Sequence, residues 1–186
     1  MMTTAEAYDK VLAQCRTIYI KKMKDYGPSW RIMRPQTVND QLLIKAKRVR
    51  TLEMTGVNLV GEDIAGEMRA IINYSVMGII QLRHGFADSV DMTPEQATEL
   101  YDKYVAEAKA LMLRKNHDYG EAWRDMLPSS LTDIILTKIN RNKQIASNDN
   151  KTLISEGADG NYFDMFNYAV FYLIQTTPEL NDQLSK

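Results

Sequence analysis

The sequence predicts an all-α protein, built as two tandem three-helix repeats packed into one pseudo-two-fold helical bundle. Three observations carry that expectation. The loop "KDYGPSWRIMRP", residues 24–35, returns as "HDYGEAWRDMLP", residues 117–128, with Asp, Tyr, Gly, Trp, Arg, Met and Pro in register. Apolar residues elsewhere recur at spacings of three and four, the period of a helix face, and strand signals are weak. Finally, 186 residues suffice for one sizeable core, whereas half that length seldom buries enough surface alone, so the halves should pack face to face.

The repetition extends beyond the loop. Sliding the chain by 93 residues lays Tyr8 on Tyr101, Asp9 on Asp102, Lys22 on Lys115, Lys45 on Lys138 and Arg48 on Arg141. One extra residue in the second copy makes the offset 94, after which Glu62 meets Glu156 and Asn73-Tyr74 meets Asn167-Tyr168. We read residues 1–85 as the first repeat, 86–92 as an acidic small-residue linker and 93–186 as the second repeat.

Each repeat reads as three helices. The first helix opens on a capping box, Thr3 with Glu6, and its counterpart on Thr93 with Gln96 and Pro94 at the first helical position. Both end at the repeated loop, where Gly27 and Gly120 can take conformations that a helix interior refuses. Thr37 with Asp40, and Ser130 with Asp133, are the expected caps of the second helices, and Gly56 the expected end of the first of these. The third helices, about 62–84 and 159–176, are the most apolar and should form the central core.

Composition excludes several functions. Lys+Arg at 23 against Asp+Glu at 24 gives a net charge of −1, so nucleic-acid binding through bulk charge is disfavoured. No run approaches the eighteen or so apolar residues of a membrane span, and the N-terminus lacks a leader pattern, so the expectation is a cytoplasmic protein. The single Cys15, on an apolar helix face, reads as packing. Self-association through the apolar third helices is compatible with the pattern.

The polar residues suggest chemistry. Lys45 and Arg48 are three apart on one helix face, as are Lys138 and Arg141, and Arg31 and Arg124 precede them in the loops. A lysine point charge beside arginine forks suits phosphate oxygens; a solvated face with local ion pairs is the alternative. Trp30 and Trp123 either cap the core or stack on a base. Asp25 and Asp118 either bond turn amides or hold a ligand hydroxyl or a metal. Asp164 lies inside a strongly apolar helix, where a carboxylate must be paired, hydrated or metal-bound. With Glu156, Asn167 and Glu62 it makes an oxygen set of the kind that suits Mg²⁺ beside a polyphosphate.

Together the "DYG-x-[SA]-W" loop, the "K-x-x-R" helix and the Glu-to-"NY" helix resemble the nucleotide modification associated domain 1 family, over essentially the whole chain as two tandem copies. The resemblance implies an all-helical fold and a nucleotide-related role. It carries third-helix residues onto Glu62, Asn73 and Tyr74 in the first copy and onto Glu156, Asp164, Asn167 and Tyr168 in the second. Gly66 and Gly160 stand where that pattern has a middle acid, and Ala70 where it has the last acid, so the second copy is expected to carry the fuller site. The spaced acids are more distantly similar to the all-α nucleoside triphosphate pyrophosphatases, although the paired glutamates of their first metal-binding helix are replaced here by Lys45 and Arg48.

The expected function is binding of a nucleotide or related phosphorylated small molecule. It extends to Mg²⁺-dependent cleavage if Asp164 and Glu156 are catalytic, with Lys138, Arg141 and Arg124 on phosphate and Trp123 on the base. The rival reading is a non-catalytic helical structural or interaction module.

Overall fold

The computed structural model describes residues 1–154 and 156–185. Six long helices carry it: α1 (Thr4–Tyr26), α2 (Pro35–Thr55), α3 (Ile64–His84), α4 (Pro94–Tyr119), α5 (Pro128–Ser147) and α6 (Ala158–Thr176), followed by a short α7 (Pro178–Asn181). A single 3₁₀ turn fills each repeated loop, at Ser29–Ile32 and Ala122–Asp125. No strand forms among the described residues; one isolated bridge ties Met2 to Leu184.

Local chemistry sets the helix ends. Both capping boxes form: Thr3 and Glu6, like Thr93 and Gln96, satisfy each other's backbone N–H groups. Gly27 (φ 67°) and Gly120 (φ 59°) stop α1 and α4, and Gly56 in left-handed conformation stops α2. The expected caps of the second helices need correction. α2 starts at Pro35 and α5 at Pro128, with Arg34 and Leu127 in the cap positions and no side-chain cap. Proline's fixed φ and missing N–H suit the first helical position, so the helix begins before Thr37 and Ser130 can act.

The apolar α3 and α6 cross at the centre, flanked by α2 and α5, and form the core with Met68, Ile72 and Ile79 of one packed with Phe166, Val170 and Ile174 of the other's layer. Their approach is close. A Cβ on Gly78 would lie 2.5 Å from the Tyr162 ring, so only glycine leaves that ring its place.

The pseudo-two-fold is written in reciprocal bonds. Tyr8 donates to Asn167 Oδ1 at 2.6 Å, and Tyr101 donates to Asn73 Oδ1 at 2.8 Å. Each asparagine also donates to the first helix of its own repeat, Asn73 to the Cys15 carbonyl and Asn167 to that of Ala108. On the surface Arg16 pairs with Asp102 and Lys109 with Asp9, the same exchange again. Burial pushes the Cys15 thiol up to about 12, which agrees with a packing role.

Candidate functional site

The repeated loops are held by glutamine clamps. Gln81 Nε2 donates to the carbonyls of Trp30, Arg31 and Met33 at 3.1, 2.9 and 2.6 Å. Gln175 Nε2 does the same to Trp123, Arg124 and Met126 at 2.8, 3.4 and 3.0 Å. One side chain near the end of each third helix thereby fixes the loop joining the first two.

That clamp decides where the loop arginines go. Arg31 is buried and bonds Asp91 through Nε (2.9 Å) and Nη2 (3.1 Å), and Gln81 and the Gly85 carbonyl through Nη1. Arg124 holds the Ser185 carbonyl and Thr4 Oγ1, each at 2.6 Å, and pairs with Glu121. Arg31 thus sits at the C-terminal end of α3, while Lys45 and Arg48 meet Glu67 near its start. Fourteen helical residues separate Gln81 from Glu67, a rise of roughly 21 Å. The expectation that each loop arginine shares a cleft with its "K-x-x-R" pair is corrected: the guanidinium is consumed in anchoring the loop.

Trp123 lies flat on Phe171, with centroids 4.3 Å apart and planes 2° from parallel, and is covered. Trp30 is buried too, but it borders a cavity. Asp25 and Asp118 are exposed at the ends of α1 and α4, and Asp118 lies 3.1 Å from the neighbouring His117 ring.

The basic pairs and third-helix acids do meet, differently in each repeat. In the first, buried Glu67 takes Lys45 (3.3 Å) and Arg48, which also bonds Glu62 Oε2 at 3.0 Å and the Glu62 carbonyl at 2.9 Å. In the second, Asp164 Oδ1 accepts from Lys115 and Oδ2 from Lys138, both at 2.7 Å. Burial works against charge on Lys115, but the bond and attraction of Asp164, helped by Glu156, outweigh it and raise its pKa. Arg141 points to solvent and has no partner among the described residues.

These contacts occupy much of the oxygen set expected to hold a metal. Both Asp164 oxygens hold ammonium groups, both Asn167 amide atoms are bonded, and Glu62 is on Arg48. Among the described residues no three acidic, histidine or cysteine side chains are placed to hold one metal ion. Asp164 and Asn167 are thus drawn into bonds with lysines, a tyrosine and a backbone carbonyl, whereas Mg²⁺ needs several oxygens around one point.

Among the open cavities, one groove of the first repeat lies beside the repeated loop, between the C-terminal half of α1, the loop and α3. Tyr26, Trp30, Tyr74 and Met77 line a pocket of about 130 Å³ with Lys22 and Arg69. A more polar cavity of about 400 Å³, bounded by Lys45, Glu62 and Glu67, adjoins it, with Lys22, Gly66 and Ala70 shared between the two. Arg69 bonds Gln14 at 3.3 Å and pairs with no carboxylate among the described residues. Lys22 and Arg69 were not among the sequence candidates. The signal for Lys22 was there, since it repeats as Lys115; Arg69 has no such echo, because Phe163 stands at its counterpart.

A model of the family described as nucleotide modification associated domain 1 matches this chain twice, at residues 22–82 and 115–176. The chain belongs to that family. The two matches of nucleotide modification associated domain 1 fall on the two repeats, each from the last turns of the first helix to the third helix. A D-aminoacyl-tRNA deacylase of Pseudoalteromonas translucida (strain TAC 125) is 38% identical over 98 residues, covering 50% of this chain and 65% of that protein. The chain thus spans somewhat less than two thirds of that relative's length. No solved structure matches. No described helix is long and apolar enough to cross a membrane.

Proposed function

We propose that the protein binds a nucleotide or related phosphorylated small molecule in the groove of its first repeat. The observation that supports this is the continuity of an aromatic pocket with a polar one lined by Lys22 and Lys45 as well as by Glu62, Asp63 and Glu67, the two joined at Lys22, Gly66 and Ala70. Tyr26, Trp30 and Tyr74 offer flat apolar surface for a base, and Lys22 and Arg69 offer charge not already spent on carboxylates. The polar cavity alone falls within the roughly 300–1,000 Å³ typical of small-molecule sites. The nucleotide theme of the family agrees with this reading. So does the tRNA named for the deacylase relative, since its end is itself a nucleotide.

Binding, rather than metal-assisted cleavage, is what the side chains support, because the acids near the groove are tied to Arg48 and Lys45. The second repeat favours the other reading, a structural half, since its lysines, its acid and its tryptophan are spent on internal partners.

A thermal-shift and calorimetric series of nucleosides, nucleoside mono-, di- and triphosphates, without added metal, tests the proposal. The expected result is binding that strengthens from nucleoside to phosphate. A folded sample that no member of the series stabilises sinks it.

A further inference from the structure

The two repeats treat one position oppositely. On α6 it is Asp164, whose two oxygens each accept from an ammonium 2.7 Å away, Lys115 of α4 and Lys138 of α5. On α3 the counterpart is Ala70, and the counterpart lysines, Lys22 of α1 and Lys45 of α2, line one cavity with it. Lys22 makes no hydrogen bond or ion pair among the described residues. Lys45 is 3.3 Å from Glu67, a carboxylate it shares with Arg48, so part of its three-donor capacity is unspent. The first repeat keeps the two cations without an acid at the position of Asp164, and the carboxylates of its cavity, Glu62, Asp63 and Glu67, come from the start of α3 and the residues before it.

The flanking acid differs in the same sense. In the second repeat Glu156 folds over Gly160, near enough that a Cβ there would lie 2.6 Å from its Oε2, and its charge acts on Lys115. Its counterpart Glu62 turns instead to Arg48 and leaves Gly66 lining the cavity.

We propose that Lys22 and Lys45 form an anion seat over Ala70 that takes a phosphate group of the ligand, and that Asp164 is the protein's own substitute for that group, closing the equivalent seat in the second repeat. This rests on the nucleotide-binding reading and adds where the phosphate goes. A phosphate presents two oxygens from one centre, as the Asp164 carboxylate does, and brings more charge to two ammonium groups. Ala70 leaves room for it on the side away from Asp63, whose Oδ1 covers Gly66, and the aromatic pocket adjoining at Lys22 then receives the remainder of the molecule.

The test installs the substitute in the first repeat. Inorganic pyrophosphate is titrated calorimetrically into the full chain and into Ala70→Asp, Ala70→Asn, Lys22→Met and Lys115→Met, with folding checked by circular dichroism. The wild type and Lys115→Met should bind alike. Ala70→Asp and Lys22→Met should each lose about tenfold or more, the size of one charge-assisted bond, while the neutral Ala70→Asn stays near the wild type. If Ala70→Asp misfolds, the contrast of Lys22→Met with Lys115→Met decides. No pyrophosphate binding by the wild type, undiminished binding by Ala70→Asp, or equal losses at Lys22 and Lys115 would overturn the proposal. Failure of the nucleotide reading looks different: pyrophosphate binds through Lys22 but nucleotides bind no better than it does. Conversely, nucleotide binding indifferent to Ala70→Asp leaves the groove reading standing and removes the seat.

Discussion

Glu67 and Asp164 perform the same task, neutralising the lysine of a "K-x-x-R" helix, from places one helical turn apart. The counterpart of Glu67 is Asn161, and the counterpart of Asp164 is Ala70. Glu67 reaches back to Lys45 and Arg48 and leaves Lys22 unpaired among the described residues; Asp164 reaches Lys138 and Lys115 and leaves Arg141 in solvent. The backbone of the duplicated unit is preserved, and a shift of the acid by one turn changes which cation is left over. A difference of function between two copies thus needs no change of fold.

The largest effect should come from breaking these acids separately. Glu67→Ala removes the carboxylate of a pair in which the acid is 2% exposed and the cations 21% and 26%. Loss of about 3 kcal/mol in urea unfolding is expected, the usual cost of leaving buried charges uncompensated. Asp164→Ala should cost about half as much, because Lys115, 41% exposed, can turn to water. Equal costs would show that the two repeats hold their acids alike and break the comparison.

Next in size are the clamps. Gln81→Ala and Gln175→Ala each strand three loop carbonyls, at about 1–3 kcal/mol. Gln81→Ala should be the costlier, since it also takes one bond from the buried Arg31 guanidinium, which keeps Asp91 and Gly85, whereas the Arg124 guanidinium bonds Ser185, Thr4 and Glu121 and loses nothing. Chemical denaturation of the two variants ranks them.

Fluorescence sharpens the contrast without perturbing the fold greatly. In Trp123→Phe the remaining Trp30 should still report a bound nucleotide, while in Trp30→Phe the signal from Trp123, stacked on Phe171, should change little. A ligand-induced change confined to Trp123 would move the site to the second repeat.

The smallest effect concerns pH. Burial, followed by Lys103, Arg31 and Arg83, holds the His84 imidazole below its ordinary 6.5. Between that lowered value and 6.5 the unfolded chain binds more protons than the folded one, so stability rises with pH across this window and falls as the solution is acidified through it. His84→Gln should flatten that slope in melts taken between about pH 5 and 7.

The duplication, the helices and both capping boxes were legible because they depend on local pattern: a residue, and another three or four further on. The fates of Arg31 and Arg124 were not. Their partners Asp91, Gln81, Thr4 and Ser185 lie far along the chain, and a fork that could grip phosphate can equally grip a carbonyl. Asp164 was rightly singled out as a carboxylate that must have company, but spacing along α6 could not reveal that the company was Lys115 and Lys138. Lys22 was passed over because a lysine on an amphipathic helix looks like solvated surface until the cavity beside it is seen.

The crossed tyrosines carry a last consequence. Because Tyr8 completes Asn167 and Tyr101 completes Asn73, neither half satisfies its own interior, and each is finished by the other. Two separate copies of such a unit could meet only by diffusion, with an assembly that fades on dilution. Joining them through residues 85–93 makes the encounter intramolecular, at an effective concentration in the millimolar range for a short tether. The protein's folding is thereby freed from its own abundance.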